Sequence, residues 1–423
     1  MSSAGIRLLS LALIATLASL VPAGAAAGAT DSTAASELIT RSEVRAMLDS
    51  LAERVRDRRT DAAPRPSYGL SGYVQARFEW GEASSDTVRV SGSPPTASVA
   101  NVSRFYVRRG RVKLTADPSP RTRVVLSVDG SQDRMVRLLD AYVTIKEGWT
   151  GRQAHQLTVG QFDVPFGFEI ERSSSRRELP ERSRAENVLF SGERDRGIKL
   201  EGQWTPRLRT VVALLNGGGV QDPDFPTTDP TRAKDVLGRA RWSVGGLDVA
   251  ASYAIGRDVI PLTGPDVWTD RKRLGADAQA SYSLPGLGKG QWMLEFYSGV
   301  ETNPDSVRGL VETVDISPGQ QARRLRAGAD PTHLATRFRG GYAMCVQRLS
   351  ERTEGVVRHD RYDPDLAAGH DQFSRWSFGL NLVCDSHTRL TIAYDAVRTE
   401  KPSGGSFRDP ADNLWTFQVQ SRF

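Results

Sequence analysis

The sequence predicts an all-β protein, a transmembrane antiparallel β-barrel of 16 strands with a short N-terminal periplasmic helix. Three observations lead to this fold class. The chain ends in an alternating strand that stops at Phe423, it divides into strand-like segments, and the connections between them alternate between long and short. Closed barrels of bacterial outer membranes combine these properties.

The N-terminus has the pattern of a secretory signal peptide over residues 1–29. Arg7 precedes an apolar stretch from Leu8 to Val21, and small residues follow up to Ala29. That stretch is too short for a membrane-spanning helix, and no other segment approaches the ~20 apolar residues that such a helix needs. We therefore expect export, signal-peptide removal and integral insertion into a Gram-negative outer membrane.

Residues 37–58 are expected to form a helix, followed by a proline-containing linker over residues 59–68. Apolar residues recur at the spacing of a short coiled coil, at Val44, Leu48, Leu51 and Val55. Two interpretations are open for this segment. It is either a solvated helix that frays or a periplasmic trimerisation segment below the barrel.

The remaining chain, residues 69–423, divides into 16 strand-like segments. Their predicted ranges are 69–80, 103–115, 122–130, 136–146, 155–163, 195–204, 208–217, 235–244, 247–256, 272–283, 290–301, 335–349, 353–362, 373–385, 387–397 and 411–423. In the last segment, Trp415 and Phe417 share one face while Gln418 lies on the other. A soluble protein seldom ends in such a strand, because its edge would be unpaired. The strand with its terminal Phe423 resembles the signal that the outer-membrane assembly machinery recognises.

The connections between the predicted strands alternate in length with two departures, because 131–135 is short where a long one is expected and 147–154 is longer than a tight turn. The long ones are 81–102, 164–194, 218–234, 257–271, 302–334, 363–372 and 398–410. The tight ones are 117–121, 205–207, 245–246, 285–289, 350–352 and 386. Outer-membrane barrels place short turns in the periplasm and long loops outside, whereas a soluble sandwich has no reason to separate loop lengths in this way.

The composition fits a barrel and a large soluble all-β protein equally well, while the charge pattern and the motifs argue against two other classes of protein. Only 39% of the residues are hydrophobic and the net charge is +6, which suits strands that face water on one side. The positive charge is interleaved with acids and forms no basic tract, so nucleic-acid binding is not expected. The five histidines are scattered and G-x-S-x-G is absent from the sequence, so we predict no enzyme, cofactor or metal site.

Cations recur at every second position in the second predicted strand. Arg109, Arg111 and Lys113 share one face at intervals of roughly 6.8 Å. A mid-membrane Arg or Lys costs about 2–4 kcal/mol on the lipid face, so this face should line the lumen. The same spacing extends this arginine ladder to two further pairs, which are Arg239 with Arg241 and Arg337 with Arg339.

Two interpretations of the ladder are open. Guanidinium groups in series could pass an anion along by charge-assisted, bidentate hydrogen bonds, and several weak sites permit its release. Alternatively, each arginine could be paired with an acid across the strands. Asp129 is a candidate for pairing with a ladder arginine and orienting it.

Several segments together resemble the phosphate-selective porin O/P family. They include F-Y-V-R-R-G-R-V-K-L-T-A (105–116), L-T-V-G-Q-F-D-V-P-F-G (157–167), G-E-R-D-R-G-I-K-L-E-G (192–202) and V-A-L-L-N-G-G-G (212–219). The resemblance implies a trimeric anion porin with arginines along the lumen and a binding site near a constriction. In porins with such barrels, a long third loop folds into the lumen. The candidate constriction residues are Arg172, Arg176, Arg177, Arg182, Arg184 and Arg194.

The predicted function is therefore passive diffusion of small inorganic or organic anions, with phosphate or polyphosphate as candidates, through an outer-membrane porin. The expected partners are outer-membrane lipid, the assembly machinery and two further copies of the chain. Two alternatives are open: an attachment barrel with a plugged lumen, and a non-selective porin for neutral solutes.

Overall fold

The structure is a computed structural model, and it describes only part of the chain. The described residues are 49–50, 66–82, 87–89, 98–100, 103–131, 136–149, 153–220, 233–286, 288–317, 320–403, 406–409 and 412–423. Asp49 and Ser50 are helical, and the rest of the predicted helix over residues 37–58 lies outside these ranges, as does the predicted signal peptide. No helix among the described residues is long and apolar enough to cross a membrane.

Sixteen antiparallel strands close into one barrel, in which each strand pairs with its neighbours along the chain. They are β1 (Ser67–Gly81), β2 (Ser103–Ser119), β3 (Thr122–Ser131), β4 (Val136–Lys146), β5 (His155–Asp163), β6 (Arg194–Gln203), β7 (Leu208–Leu215), β8 (Asp235–Val244), β9 (Leu247–Ile260), β10 (Val267–Leu284), β11 (Gly288–Thr302), β12 (Ala335–Arg348), β13 (Thr353–Asp363), β14 (Phe373–Val383), β15 (Thr388–Thr399) and β16 (Leu414–Arg422). β1 pairs with both β2 and β16, so the first strand closes the cylinder against the last. Each predicted segment corresponds to one strand, and the predicted fold class is confirmed.

The alternation of side chains separates the two faces of the wall, as β14 illustrates. Trp376 and Phe378 point outward and are 50% and 46% exposed, whereas Ser377 and Asn381 point inward and are fully buried. Outward apolar side chains continue around the barrel and form the band that meets lipid. Because polar groups buried inside need partners, the lumen is rich in hydrogen bonds and ion pairs.

Most tight turns lie at one end of the barrel and most long connections at the other, and the exceptions are the connections 132–135 and 147–154. The turn between β8 and β9 consists of Gly245 and Gly246, and Gly245 has a positive φ of 60°. The long connections hold further elements, which are helix α1 (Arg184–Leu189), helix α2 (Pro304–Leu310) and small hairpins such as Val311–Ser317 with Gln320–Leu325. The sequence pattern did not predict these additions, because each is short and none belongs to the barrel wall.

Candidate functional site: a loop inside the barrel

The connection between β5 and β6, residues 164–193, lies inside the barrel and is called the inserted loop below. Inward side chains from the far wall hold its backbone. Gln420 of β16 donates to the carbonyl oxygen of Ser175 at 2.9 Å, and Asn381 of β14 donates to that of Glu178 at 2.9 Å. The inserted loop therefore crosses the lumen from β5 to the seam where β16 meets β1.

A glycine and a buried acid fix the start of the inserted loop. Glu295 of β11 is 4% exposed and accepts hydrogen bonds from the backbone N–H groups of Phe168 and Glu169. Gly167 has a positive φ of 68°, and a Cβ atom there would lie 2.1 Å from Oε1 of Glu295. Only glycine fits this position, because a side chain would meet both backbone strain and the carboxylate.

An apolar cluster holds one side of the inserted loop against the wall. The ring of Phe166 lies 4.9 Å from that of Phe190 and 6.0 Å from that of Tyr297, measured between centroids. The other members include Ile170, Ala185 and Leu189 from the loop and Leu237, Phe338 and Tyr362 from the wall. The lumenal wall is apolar here because it packs against the loop, whereas a wall that faces water would be polar.

Glu181 fastens the opposite side of the inserted loop to β1 and β2. Its carboxylate contacts Arg77 at 2.6 Å, Arg108 at 2.9 Å and Arg109 at 3.9 Å. Although burial raises the pKa of Glu181, the guanidinium groups of Arg108 and Arg77 hold that pKa well below its usual range. Glu181 is therefore a permanent anion that gathers three wall cations.

Arg177 is a buried cation whose guanidinium group forms no ion pair within the described residues. Its side chain is 4% exposed, and none of its three guanidinium nitrogens has a hydrogen-bond partner among the described residues. Burial and the nearby charge of Arg182 lower the pKa of Arg177 to about 10, so the group is still positive at neutral pH. The cavity that it shares with Arg172 and Phe168 has room for about one water molecule. The carboxylates of Glu193, Glu181 and Glu169 offset this charge from a distance, without a hydrogen bond to the guanidinium group.

On β2, Arg109, Arg111 and Lys113 face the lumen. A β-bulge opposite Gln75 also turns Arg108 inward, where strict alternation would have placed it towards lipid. Arg111 donates to Asp129 at 3.0 Å.

The other inward members of the ladder differ in their partners. Arg109 donates to neutral Gln75 at 3.1 Å, whereas Arg239 on β8 donates to Asp277 at 2.5 Å. Arg241 is paired with Asp248. Lys113 has no ion pair within the described part of the chain. Most of these cations are therefore neutralised locally. Arg109 shares Glu181 at 3.9 Å, and Lys113 is the exception.

The structure corrects the prediction for Arg337 and Arg339, which lie on the outer face of β12. The inward face of that strand carries Phe338 and Tyr342, which are 1% and 5% exposed because the inserted loop packs over them. Alternation separated the faces of β12 correctly, but the apolar face is the lumenal one. The cost of arginine on the lipid face falls to about 0–1 kcal/mol near the interface, and both residues lie near the loop end of the strand.

The remaining candidate arginines of the constriction are mostly paired. Arg172 contacts Glu178, and Arg182 contacts Glu186 and Glu193. Arg194 opens β6, where it contacts Asp140 and Asp163 at 3.1 and 2.9 Å. The side chains of Arg176 and Arg184 are exposed, and the guanidinium of Arg184 lies 5.4 Å from the ring centre of Phe373.

Several wall arginines that hold the inserted loop were missed in the sequence. Arg358 of β13 contacts Glu169 at 3.3 Å, and Arg375 of β14 donates to the carbonyl oxygen of Arg182 at 2.7 Å. Arg389 of β15 donates to that of Arg177 at 2.7 Å. Each is the only cation among the inward positions of its strand, so no repeated spacing marked it. The described residues include no cluster of histidine, cysteine and acid side chains that could hold a metal.

The barrel is similar to solved outer-membrane channels. The trimer form of OmpT from Vibrio cholerae superposes with a TM-score of 0.54 at 8% identity, covering 85% of this chain and 100% of that one. The channel DcaP of Acinetobacter baumannii gives 0.57 at 12% identity, covering 85% and 98%. An anion-selective porin from Comamonas acidovorans gives 0.52 at 12% identity, covering 85% and 100%. At such low identities these similarities establish the fold alone.

No curated protein sequence gives a significant match to this chain. The model of the family described as phosphate-selective porin O and P matches residues 96–228, a region that contains β2 to β7 and the inserted loop. This match confirms the resemblance that the motifs indicated. The barrel and the match together support an outer-membrane porin, and the family that residues 96–228 match is that of the phosphate-selective porins O and P.

Proposed function

We propose that the protein lets small anions diffuse through a water-filled passage between the inserted loop and the barrel wall. The charge balance around the loop supports this proposal most directly. Lys113 and Arg177 carry positive charge and form no ion pair among the described residues, and Arg109 has only a distant one, to Glu181 at 3.9 Å. Acids in the same region, such as Glu181 and Asp129, are in contact with arginines.

The contacts of the inserted loop suggest where the passage runs. Its polar contacts reach β1, β2, β7 to β9, β11 and β13 to β16. Within the described residues, the inward side chains of β3 and β4 make no hydrogen bond to the loop. We place the passage beside these two strands, where Lys113 of the neighbouring β2 faces water. Unpaired cations there raise the local concentration of anions.

Reversal potentials in a KCl gradient test the proposal. The wild-type protein in a planar bilayer should show stepwise current and a chloride-directed potential. Lys113→Gln with Arg177→Gln should lower the chloride-to-potassium permeability ratio by roughly threefold or more, because two unpaired lumenal charges are lost. The matched control is Arg257→Gln with Arg324→Gln, which removes two charges that are 63% and 60% exposed away from the lumen.

Three outcomes would overturn the proposal. A potassium-directed reversal potential in the wild type would show that the passage prefers cations. Equal chloride-to-potassium permeability ratios for the lumenal and control variants would show that the unpaired cations do not set selectivity. Absence of stepwise current from folded, inserted protein would favour a plugged barrel that serves in attachment.

We further propose phosphate as a candidate solute, a homotrimeric assembly and cleavage of the signal peptide near residue 29. The family match supports phosphate, and the OmpT structure described as a trimer form supports the assembly. Phosphate added to a chloride-conducting pore should reduce the chloride current if both anions share the passage. Native mass spectrometry of the mature protein would give its stoichiometry and its first residue.

A further inference from the structure

Three arginines lie on the outside of the barrel on two neighbouring strands. Arg337 and Arg339 of β12 and Arg361 of β13 are exposed on the outer face. In the part of the chain that the structure describes, none of the three guanidinium groups forms an ion pair. Unpaired cations are unexpected on a face that otherwise meets lipid, so their depth in the membrane is informative.

The outward aromatic residues give that depth. Trp80, Phe105, Trp376 and Trp415 all point outward within four residues of a strand end, at the barrel end with the long loops. Such aromatic belts lie at the level of the lipid headgroups, and the long loops of outer-membrane barrels are extracellular. The three arginines are equally close to the ends of their strands. They therefore lie at the headgroups of the outer leaflet, which long arginine side chains can reach.

A groove of about 350 Å³ runs across the outer wall at this level. Its lining includes Phe296, Arg339, Ala343, His359 and Arg361. The His359 ring lies 4.6 Å from that of Trp376, so the lower part of the groove is aromatic and apolar. The upper part carries the guanidinium groups of Arg339 and Arg361 and the carboxylate of Asp363, so cations outnumber acids there. This division matches an amphiphile with an anionic head and a hydrocarbon tail.

We propose that this groove binds the phosphorylated headgroup of an outer-leaflet lipid. Arg339 and Arg361 would hold the phosphate, since guanidinium groups bind phosphate oxygens by bidentate, charge-assisted hydrogen bonds. Phe296 and Ala343 would contact the acyl chain below. The proposal depends on the outer-membrane location of the proposed function and not on anion conduction.

Lipid binding to the intact mature protein, kept in a neutral detergent, tests this inference by native mass spectrometry. The probes are phosphatidic acid, phosphatidylcholine with the same acyl chains, and inorganic phosphate. The wild type should prefer phosphatidic acid. Arg339→Gln with Arg361→Gln should weaken that binding by roughly tenfold or more, because the charge-assisted hydrogen bonds to the phosphate are lost. Arg308→Gln with Arg324→Gln, a loop variant with the same charge change, should bind as the wild type does.

Several results would overturn the inference. Unchanged binding of phosphatidic acid to the groove variant would exclude the two arginines. Displacement of the lipid by an equal concentration of inorganic phosphate would indicate a free-anion site. Loss of trimers with unchanged lipid binding would assign the groove to subunit contacts. Single-channel selectivity, measured on the same variant, should stay at the wild-type value, which separates this test from that of anion conduction.

Discussion

Glu181 of the inserted loop and Arg77 of the first strand are joined by a hydrogen bond of 2.6 Å from Nη1 to Oε1. Arg77 also donates to Gln418 of β16 at 2.7 Å. One arginine therefore connects the loop, the first strand and the last strand. Because β1 and β16 form the closing seam of the barrel, the position of the loop is coupled to the closure of the sheet.

Replacing Glu181 should release the inserted loop from this seam. Glu181→Gln leaves Arg77, Arg108 and Arg109 without their shared anion, and each lost hydrogen bond to a charged group is worth about 1.5–3 kcal/mol. We expect larger and noisier single-channel conductance and a stronger anion preference. Glu171→Gln is the matched control, because Glu171 reaches Arg209 and Arg239 only at 3.8 and 3.9 Å. Equal effects of the two variants would show that Glu181 has no special role.

The glycine at the start of the inserted loop gives a second prediction. Gly167→Ala forces a side chain into a left-handed conformation, which costs roughly 1–2 kcal/mol, and into the carboxylate of Glu295. The loop should shift away from β11, so proteolysis within residues 164–193 should become faster. Gly264→Ala is the control, since a Cβ atom there meets nothing within 4 Å. Wild-type resistance of Gly167→Ala to protease would contradict the strained geometry.

The wall of the barrel could be predicted from the sequence because the alternation of apolar and polar residues is a property of each strand by itself. Every strand alternates along its own length, so Trp376 and Ser377 reveal their faces without knowledge of their neighbours. The bulge at Arg108 breaks that local rule. Its position depends on the register against Gln75 of another strand, which no single segment contains.

The inserted loop explains why the prediction of inward arginines on β12 was wrong. A polar lumen and an apolar exterior are the usual signs of a water-filled barrel, and they predict inward arginines at Arg337 and Arg339. Where the loop packs against the wall, the inward side chains belong to an apolar core, as Phe338 does. Whether the apolar or the polar face of a strand points into the lumen therefore depends on a tertiary contact between segments far apart in the sequence. The ion pairs of Glu181 depend on the same contact.

Two lumenal ion pairs should differ in their effect on stability. The side chains of Arg239 and Asp277 are 3% and 2% exposed, whereas those of Arg241 and Asp248 are 31% and 30% exposed. Asp277→Ala leaves a buried guanidinium unpaired and should lower the free energy of unfolding by about 3–5 kcal/mol. Asp248→Ala should cost about 1 kcal/mol or less, because water solvates the released cation.

Urea unfolding in lipid vesicles measures the difference between the two variants. A double-mutant cycle with Arg239→Ala should recover much of the loss, since removing the second partner removes the unpaired charge. Similar losses for Asp277→Ala and Asp248→Ala would mean that water reaches Arg239, and the passage would then have to extend to β8.

The extracellular connection over residues 364–372 should respond to pH through Asp371. Burial, together with the charges of Asp363 and Asp365, raises the pKa of Asp371 from 3.8 to about 6. The folded loop thus binds the proton more tightly than the unfolded chain does, and its stability should fall as pH rises from about 4 to 6. Asp371→Asn should abolish this fall and leave the loop better protected from hydrogen exchange at pH values above 6.

Asp330, in another extracellular connection, provides a control with the opposite sign. Its carboxylate accepts a hydrogen bond from the backbone N–H of Thr332 at 2.9 Å, and this bond lowers the pKa of Asp330. Loop stability should therefore rise with pH there, and Asp330→Asn should reduce protection at neutral pH. If both variants shifted hydrogen exchange in the same direction, a general effect of removing negative charge would explain the data, and the burial of Asp371 would not.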